Sequence, residues 1–167
     1  MMRLTLLLSM LVLAYSSWAG SMVTGDVDGN GKDDIAIDFG ADGQWLWMNN
    51  SSWTQFDDMA LDSMVSGDLD GNGKDEIVTD NGVNGVWIRM NDAYWTRLLC
   101  PNGSINDWPA YSMVTGDVDG NGKDDVVIDY GTNNGVWKWM NNSSWVELTH
   151  GASNDFSPLT KQIITGD

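Results

Sequence analysis

The chain has one cysteine, one histidine and three prolines in 167 residues, and only eight basic side chains. Each scarcity removes a class of explanation. A lone Cys100 cannot close an intrachain disulfide, so covalent stapling is excluded and the thiol reads as free. A lone His150, with no second histidine or cysteine beside it, gives no support to a zinc site. No nucleophile, base and orienter can be assembled around it, which argues against an enzyme. Eight Lys and Arg against 24 Asp and Glu leave a net charge of −16, which repels a phosphate backbone and sets nucleic acid aside as a partner. Beyond Tyr15 there is no apolar run long enough to span a bilayer.

The start of the chain is different. Met1-Met2-Arg3 leads into an almost wholly apolar stretch from Leu4 to Tyr15, followed by Ser17-Trp18-Ala19. A basic start, a short apolar core and small residues at the two cleavage positions predict a signal peptide over 1–19. The run falls short of the ~20 residues that a membrane span needs. The expectation is therefore a secreted protein, extracellular or periplasmic, whose mature form keeps seven basic residues against 24 acids, a net −17.

What the sequence does have is a repeated acidic loop. Asp-Val-Asp-Gly-Asn-Gly-Lys-Asp-Asp at Asp26 to Asp34 returns as Asp68 to Glu76 and, letter for letter, as Asp117 to Asp125. Twelve of the 24 acids lie in these three loops. Two carboxylates ~5 Å apart repel by about 1 kcal/mol in water and by several times that near a protein surface. Oxygen side chains at alternate positions around two glycines let a short backbone curl around a hard cation, so calcium is the expected ligand, at about three sites.

The repetition extends far beyond the loops. Asp26, Asp68 and Asp117 are 42 and 49 residues apart, and Ile164-Thr165-Gly166-Asp167 begins a fourth copy. Ser21-Met22-Val23 returns at Ser63 and Ser112, and Trp47-Met48-Asn49-Asn50-Ser51-Ser52-Trp53 returns at Trp139 to Trp145. Periods of ~40–50 residues belong to propeller blades and similar arrays. Within a copy, Ser21 to Gly25, Ile35 to Asp38, Gln44 to Met48 and a start at Trp53 read as four short strands. Turns separate them at Gly40 to Gly43 and Asn49 to Ser51. The expected fold is all-β: propeller blades over 20–62, 63–111 and 112–162, with the start of a truncated fourth at 163–167, together an incomplete propeller.

The loop is not an EF-hand. Position 12 would have to be a bidentate Glu, and counting from the first aspartates lands on Ile37, Thr79 and Ile128. Strand chemistry on both flanks makes each loop a hairpin tip. In this pattern the chain resembles the secreted VCBS and FG-GAP type β-propeller repeats, whose calcium hairpin reads D-x-D-G-D-G-x-x-D, over essentially all of Ser21 to Trp145. The resemblance implies side-chain ligands at Asp26, Asp28, Asn30 and Asp34 with the Lys32 carbonyl. It implies the same for Asp68, Asp70, Asn72, Glu76 and Lys74, and for Asp117, Asp119, Asn121, Asp125 and Lys123. Asn stands where the family usually has a third Asp, and Glu76 is longer by a methylene. The integrin-type phenylalanine-glycine and glycine-alanine-proline pairs are not in their expected order, so the VCBS branch is the closer likeness. Asp33, Asp75 and Asp124 fall outside the implied ligand set, with a supporting or solvated role.

Trp45, Trp87 and Trp137 share one repeat position and are expected to pack between blades. Trp53, Trp95 and Trp145 sit near the last turn, where they would be the aromatic residues to meet a ligand. The functional expectation is a calcium-ordered module for extracellular binding or adhesion, its partner a glycan or a cell-surface protein. The alternatives are a carbohydrate-binding lectin and a non-catalytic accessory domain of a longer secreted enzyme. Open blade ends would favour self-association.

Overall fold

The computed structural model describes residues 20–59, 61–105 and 108–148. The expected signal peptide, His150 and the start of the fourth copy lie outside the described residues. The chain forms three four-stranded antiparallel sheets, one from each repeat. Sheet 1 holds β1 (Met22–Gly25), β2 (Asp34–Asp38), β3 (Gln44–Met48) and β4 (Ser52–Asp57). Sheet 2 holds β5 (Ser63–Gly67), β6 (Glu76–Asp80), β7 (Val86–Met90) and β8 (Tyr94–Leu98). Sheet 3 holds β9 (Ser112–Gly116), β10 (Asp125–Asp129), β11 (Val136–Met140) and β12 (Ser144–Leu148). In each sheet the strands lie in chain order. Helix among the described residues is confined to two 3-10 turns, Gly40–Asp42 and Gly82–Asn84.

Local chemistry sets the hairpins. The acidic loop joins the first two strands of each sheet. Between the third and fourth, Asn49 and Asn50 take φ values of 52° and 51°, and the same pair of positive values recurs at Asn91-Asp92 and Asn141-Asn142. Two successive left-handed residues make a type I′ turn, whose twist matches that of the strands, and Asn and Asp adopt it with the least penalty.

The first strands β1, β5 and β9 lie side by side. They line an open cavity of 640 Å³ whose wall includes Thr24, Ser66 and Thr115. The Ser66 hydroxyl donates to the Thr24 carbonyl at 2.7 Å, and the Thr115 hydroxyl donates to the Ser66 carbonyl. One repeat position therefore ties each sheet to the one before it. Among the described residues the three sheets do not close into a ring.

The core is two layers, one in each gap between sheets. Val27, Ala36, Leu46 and Phe56 of the first repeat meet Met64 and Ile77 of the second. Leu69, Val78, Ile88 and Leu98 meet Met113, Val126 and Ile128 of the third. Sequence alternation alone would bury one face of each second strand, and β2 alternates in this way. In β6, of the middle sheet, all five residues are buried, and in β10 the first four are. Each fully buried Leu or Ile contributes about 1.5–3 kcal/mol.

Of the tryptophans expected between blades, Trp137 packs against the layer between sheets 2 and 3. Trp45, Trp87 and Trp137 are half-buried, and each indole N–H donates within its own turn, to the carbonyls of Asp42, Asn84 and Asn134 at 2.8, 3.0 and 2.6 Å. The last-strand set also crosses between sheets: Trp95 stacks on Phe56 with ring centroids 6.2 Å apart, and the Trp145 indole donates to the Leu99 carbonyl at 2.8 Å. Trp53 alone of that set stays exposed.

Candidate metal centres

Three carboxylates converge in each loop. Asp26, Asp28 and Asp34 each place a carboxylate oxygen within 4.8 Å of the others, as do Asp68, Asp70 and Glu76, and Asp117, Asp119 and Asp125. Each trio could hold a metal ion. The first residue is fixed by the loop's own backbone. Asp26 Oδ1 accepts from the N–H groups of Gly29 and Asn30 at 2.8 and 2.9 Å, and its Oδ2 accepts from Gly31 at 2.6 Å. Asp68 and Asp117 are held in the same way. The N–H donors, Gly122 first among them, keep the Asp117 carboxyl below the usual carboxylate range.

The last residue of each trio is different, since Asp34, Glu76 and Asp125 are buried on the second strand of their sheets. Asp34 accepts one bond, from the Asn49 N–H at 2.8 Å, while its Oδ2 is buried with no hydrogen-bond partner. A buried carboxylate oxygen left without a donor is costly unless a cation meets it. The donor set therefore fits a hard metal. Asn30, Asn72 and Asn121 lie in the same turns, where their amides donate to Asn49, Asn91 and Asn141.

Asn49, Asn91 and Asn141 are site residues that lay outside the expected ligand set. Asn49 donates its N–H to Asp34 and its side-chain amide to Asp28 Oδ2 at 2.6 Å, and its carbonyl oxygen accepts from Asn30. Asn91 and Asn141 repeat the bridge. The tip of one hairpin thus props the loop of the neighbouring hairpin. The signal was present in the chain: Met-Asn recurs at Met48, Met90 and Met140 in all three copies.

A second missed contact crosses between repeats. The Asp75 N–H donates to the Asp26 carbonyl at 2.9 Å, and the Asp26 N–H donates back to Asp75 Oδ2 at 2.8 Å. Asp124 makes the same pair with Asp68, at 2.8 and 3.0 Å. The first aspartates of the first two centres are therefore each clamped by the eighth loop residue of the following repeat. The lysine beside the clamp adds to it: a β-carbon on Gly29 would sit 2.9 Å from Lys74 Cγ, and one on Gly71 would sit 2.9 Å from Lys123 Cγ. With φ values of 78° and 77° as well, these two positions need glycine for both room and backbone.

Burial, reinforced by Asp70 and Asp68, pushes the Glu76 carboxyl up to about 7 against the pull of the Asn91 and Leu69 N–H groups. Burial and the Asp62 charge push Asp80 up to about 6, against the Gly82 N–H. Both folded values exceed the unfolded ones, so the stability they confer is complete below about pH 4 and is lost as pH rises through 6 to 7. In chelator, stability and with it the thermal midpoint are expected to fall as pH rises from about 4.5 to about 7, with Glu76 the larger contributor. Asp80→Asn should flatten part of that slope without touching a carboxylate trio. A midpoint that rises over this window in chelator would contradict the assignment.

No model of a protein family, no curated protein and no solved structure matches the chain.

Proposed function

We propose that the chain is a secreted, calcium-ordered β-propeller repeat module that acts in binding or adhesion rather than catalysis. The observation that carries this is the threefold carboxylate trio, each built around a buried acid, with Asp34 Oδ2 lacking any donor. Calcium accepts six to eight oxygens at variable distances, which suits a turn offering three carboxylates, an asparagine (Asn30, Asn72 or Asn121) and a lysine carbonyl (Lys32, Lys74 or Lys123). Magnesium demands a tight octahedron and fits such a loop poorly. The propeller reading is supported by sheets that follow one another in chain order, with first strands side by side and one junction used twice. An oxidising compartment with abundant calcium suits a fold that has a single, buried cysteine and no disulfide to staple it.

Calorimetric titration decides the metal. The expected stoichiometry is three calcium ions per chain, with far weaker magnesium binding, and Asp28→Ala is expected to lower it to two. No calcium uptake, or equal affinity for both ions, would overturn the reading.

One observation favours a lectin as the second reading. A cavity of 370 Å³ between sheets 2 and 3 is lined in part by Arg97, Trp139, Asn142 and Trp145, which joins indole rings to polar side chains as sugar recognition requires. Glycan-array binding that Trp145→Ala abolishes at unchanged calcium stoichiometry would establish it.

A further inference from the structure

The two ends of the repeat array carry complementary halves of a contact that the chain makes twice within itself. Inside the chain, the leading side of one repeat meets the trailing side of the repeat before it. The leading side brings a methionine, the lysine-aspartate pair of the loop and the last-strand tryptophan. The trailing side offers the backbone of the first loop aspartate, the glycine three residues on and the apolar residue between them. Both internal junctions have these parts: Met64, Lys74, Asp75 and Trp95 against Asp26, Val27 and Gly29, then Met113, Lys123, Asp124 and Trp145 against Asp68, Leu69 and Gly71.

The same positions at the array's ends are uncovered. On the leading side of the first repeat Met22 is 65% exposed, against 4% for Met64 and 6% for Met113. Trp53, on the last strand of the same sheet, is 47% exposed, whereas Trp95 and Trp145 are half-buried. Asp33 makes no clamp among the described residues. On the trailing side of the third repeat Val118 is 47% exposed, against 3% for Val27 and 1% for Leu69. A β-carbon on Gly120 would meet nothing within 4 Å, where the equivalent glycines meet a lysine. No counterpart of Asp75 faces Asp117 among the described residues.

We propose that a second copy of this chain completes the contact, its Met22, Lys32, Asp33 and Trp53 seating on Asp117, Val118 and Gly120 of the first. The occupant follows from the internal junctions, which show what each half accepts. Because the halves differ, the contact is head-to-tail and not two-fold, and can propagate or close into a ring. Lys138 stands where Leu46 and Ile88 are buried on the other trailing faces. Its stem can cover apolar surface while its ammonium seeks water, which weakens the contact without blocking it. Nothing in this rests on calcium, whose own test is the titration above.

Light scattering on the full chain in calcium, over a dilution series, tests it. The weight-average mass is expected to rise to about twice that of a single chain or more with concentration. Met22→Arg and Val118→Arg should each hold the mass at that of one chain. An equal mixture of the two should restore about twofold mass, because the intact trailing side of the first variant meets the intact leading side of the second. Lys138→Leu should shift association to lower concentration. Circular dichroism and calcium stoichiometry matching the parent show that the variants fold. A single-chain mass at every concentration for both the parent and Lys138→Leu would overturn the proposal. So would variants that associate as the parent does, or a mixture that stays monomeric.

Discussion

Chelation is expected to lower the thermal midpoint of the calcium-loaded chain by roughly 15–20 °C, the largest single effect the structure implies. At calcium about twentyfold above the dissociation constant, each occupied site adds about 1.8 kcal/mol, and three add about 5 kcal/mol. A domain of this size has about 5–15 kcal/mol in total, so the metal-free chain keeps little reserve. The structural reason lies in how the charge is distributed. The first aspartate of each loop already has both oxygens satisfied by backbone N–H groups, so it tolerates the metal-free state. The buried acid does not: Asp34 leaves one oxygen without a donor, and Glu76 is held toward its protonated form. At neutral pH a bound cation would make ionised, buried carboxylates compatible with the sheet. The measurement is thermal unfolding in calcium and in EDTA, with magnesium as a control. A midpoint that does not move would remove calcium from the fold's energetics, whatever the loops bind.

The hairpins could be read from the chain because their causes are local. Glycine pairs, β-branched runs and Asn-Asn turns act within a few residues, and the strands begin and end within about two residues of where the pattern places them. The carboxylate trios were legible for the same reason, since their spacing is fixed by one turn of backbone. Contacts between repeats were not. Asp75 and Asp26 are 49 residues apart, and no periodicity within a repeat distinguishes a carboxylate that clamps a neighbour from one that faces water. One clue was available: Asp33, Asp75 and Asp124 recur without exception at a position the ligand pattern leaves unused. The roles of the tryptophans were hidden in a similar way. Trp53, Trp95 and Trp145 share a repeat position, yet whether each is covered depends on the presence of a preceding sheet, which is a property of the array.

The same dependence on neighbours gives the second large effect. Leu69→Ala is expected to cost about 2–5 kcal/mol, whereas Val118→Ala, at the identical repeat position, should cost within about 0.5 kcal/mol at concentrations where copies are separate. Neither residue differs much in chemistry; what differs is the sheet packed over it. Leu69 sits in the layer formed with Val78, Ile88, Met113 and Val126, and truncating it leaves a cavity between two sheets that are each already anchored by backbone hydrogen bonds and cannot readily collapse. Val118 has no such layer above it, so its removal forfeits little buried area. Chemical denaturation in saturating calcium reads both, and an unchanged denaturant slope would show that the compactness of the end states is unaltered. Equal costs at the two positions would mean that the burial difference between the repeats is not real, and with it the view that neighbouring repeats supply most of each sheet's core. If association of copies covers Val118, its cost should climb toward that of Leu69 as protein concentration rises, while the cost at Leu69 stays fixed.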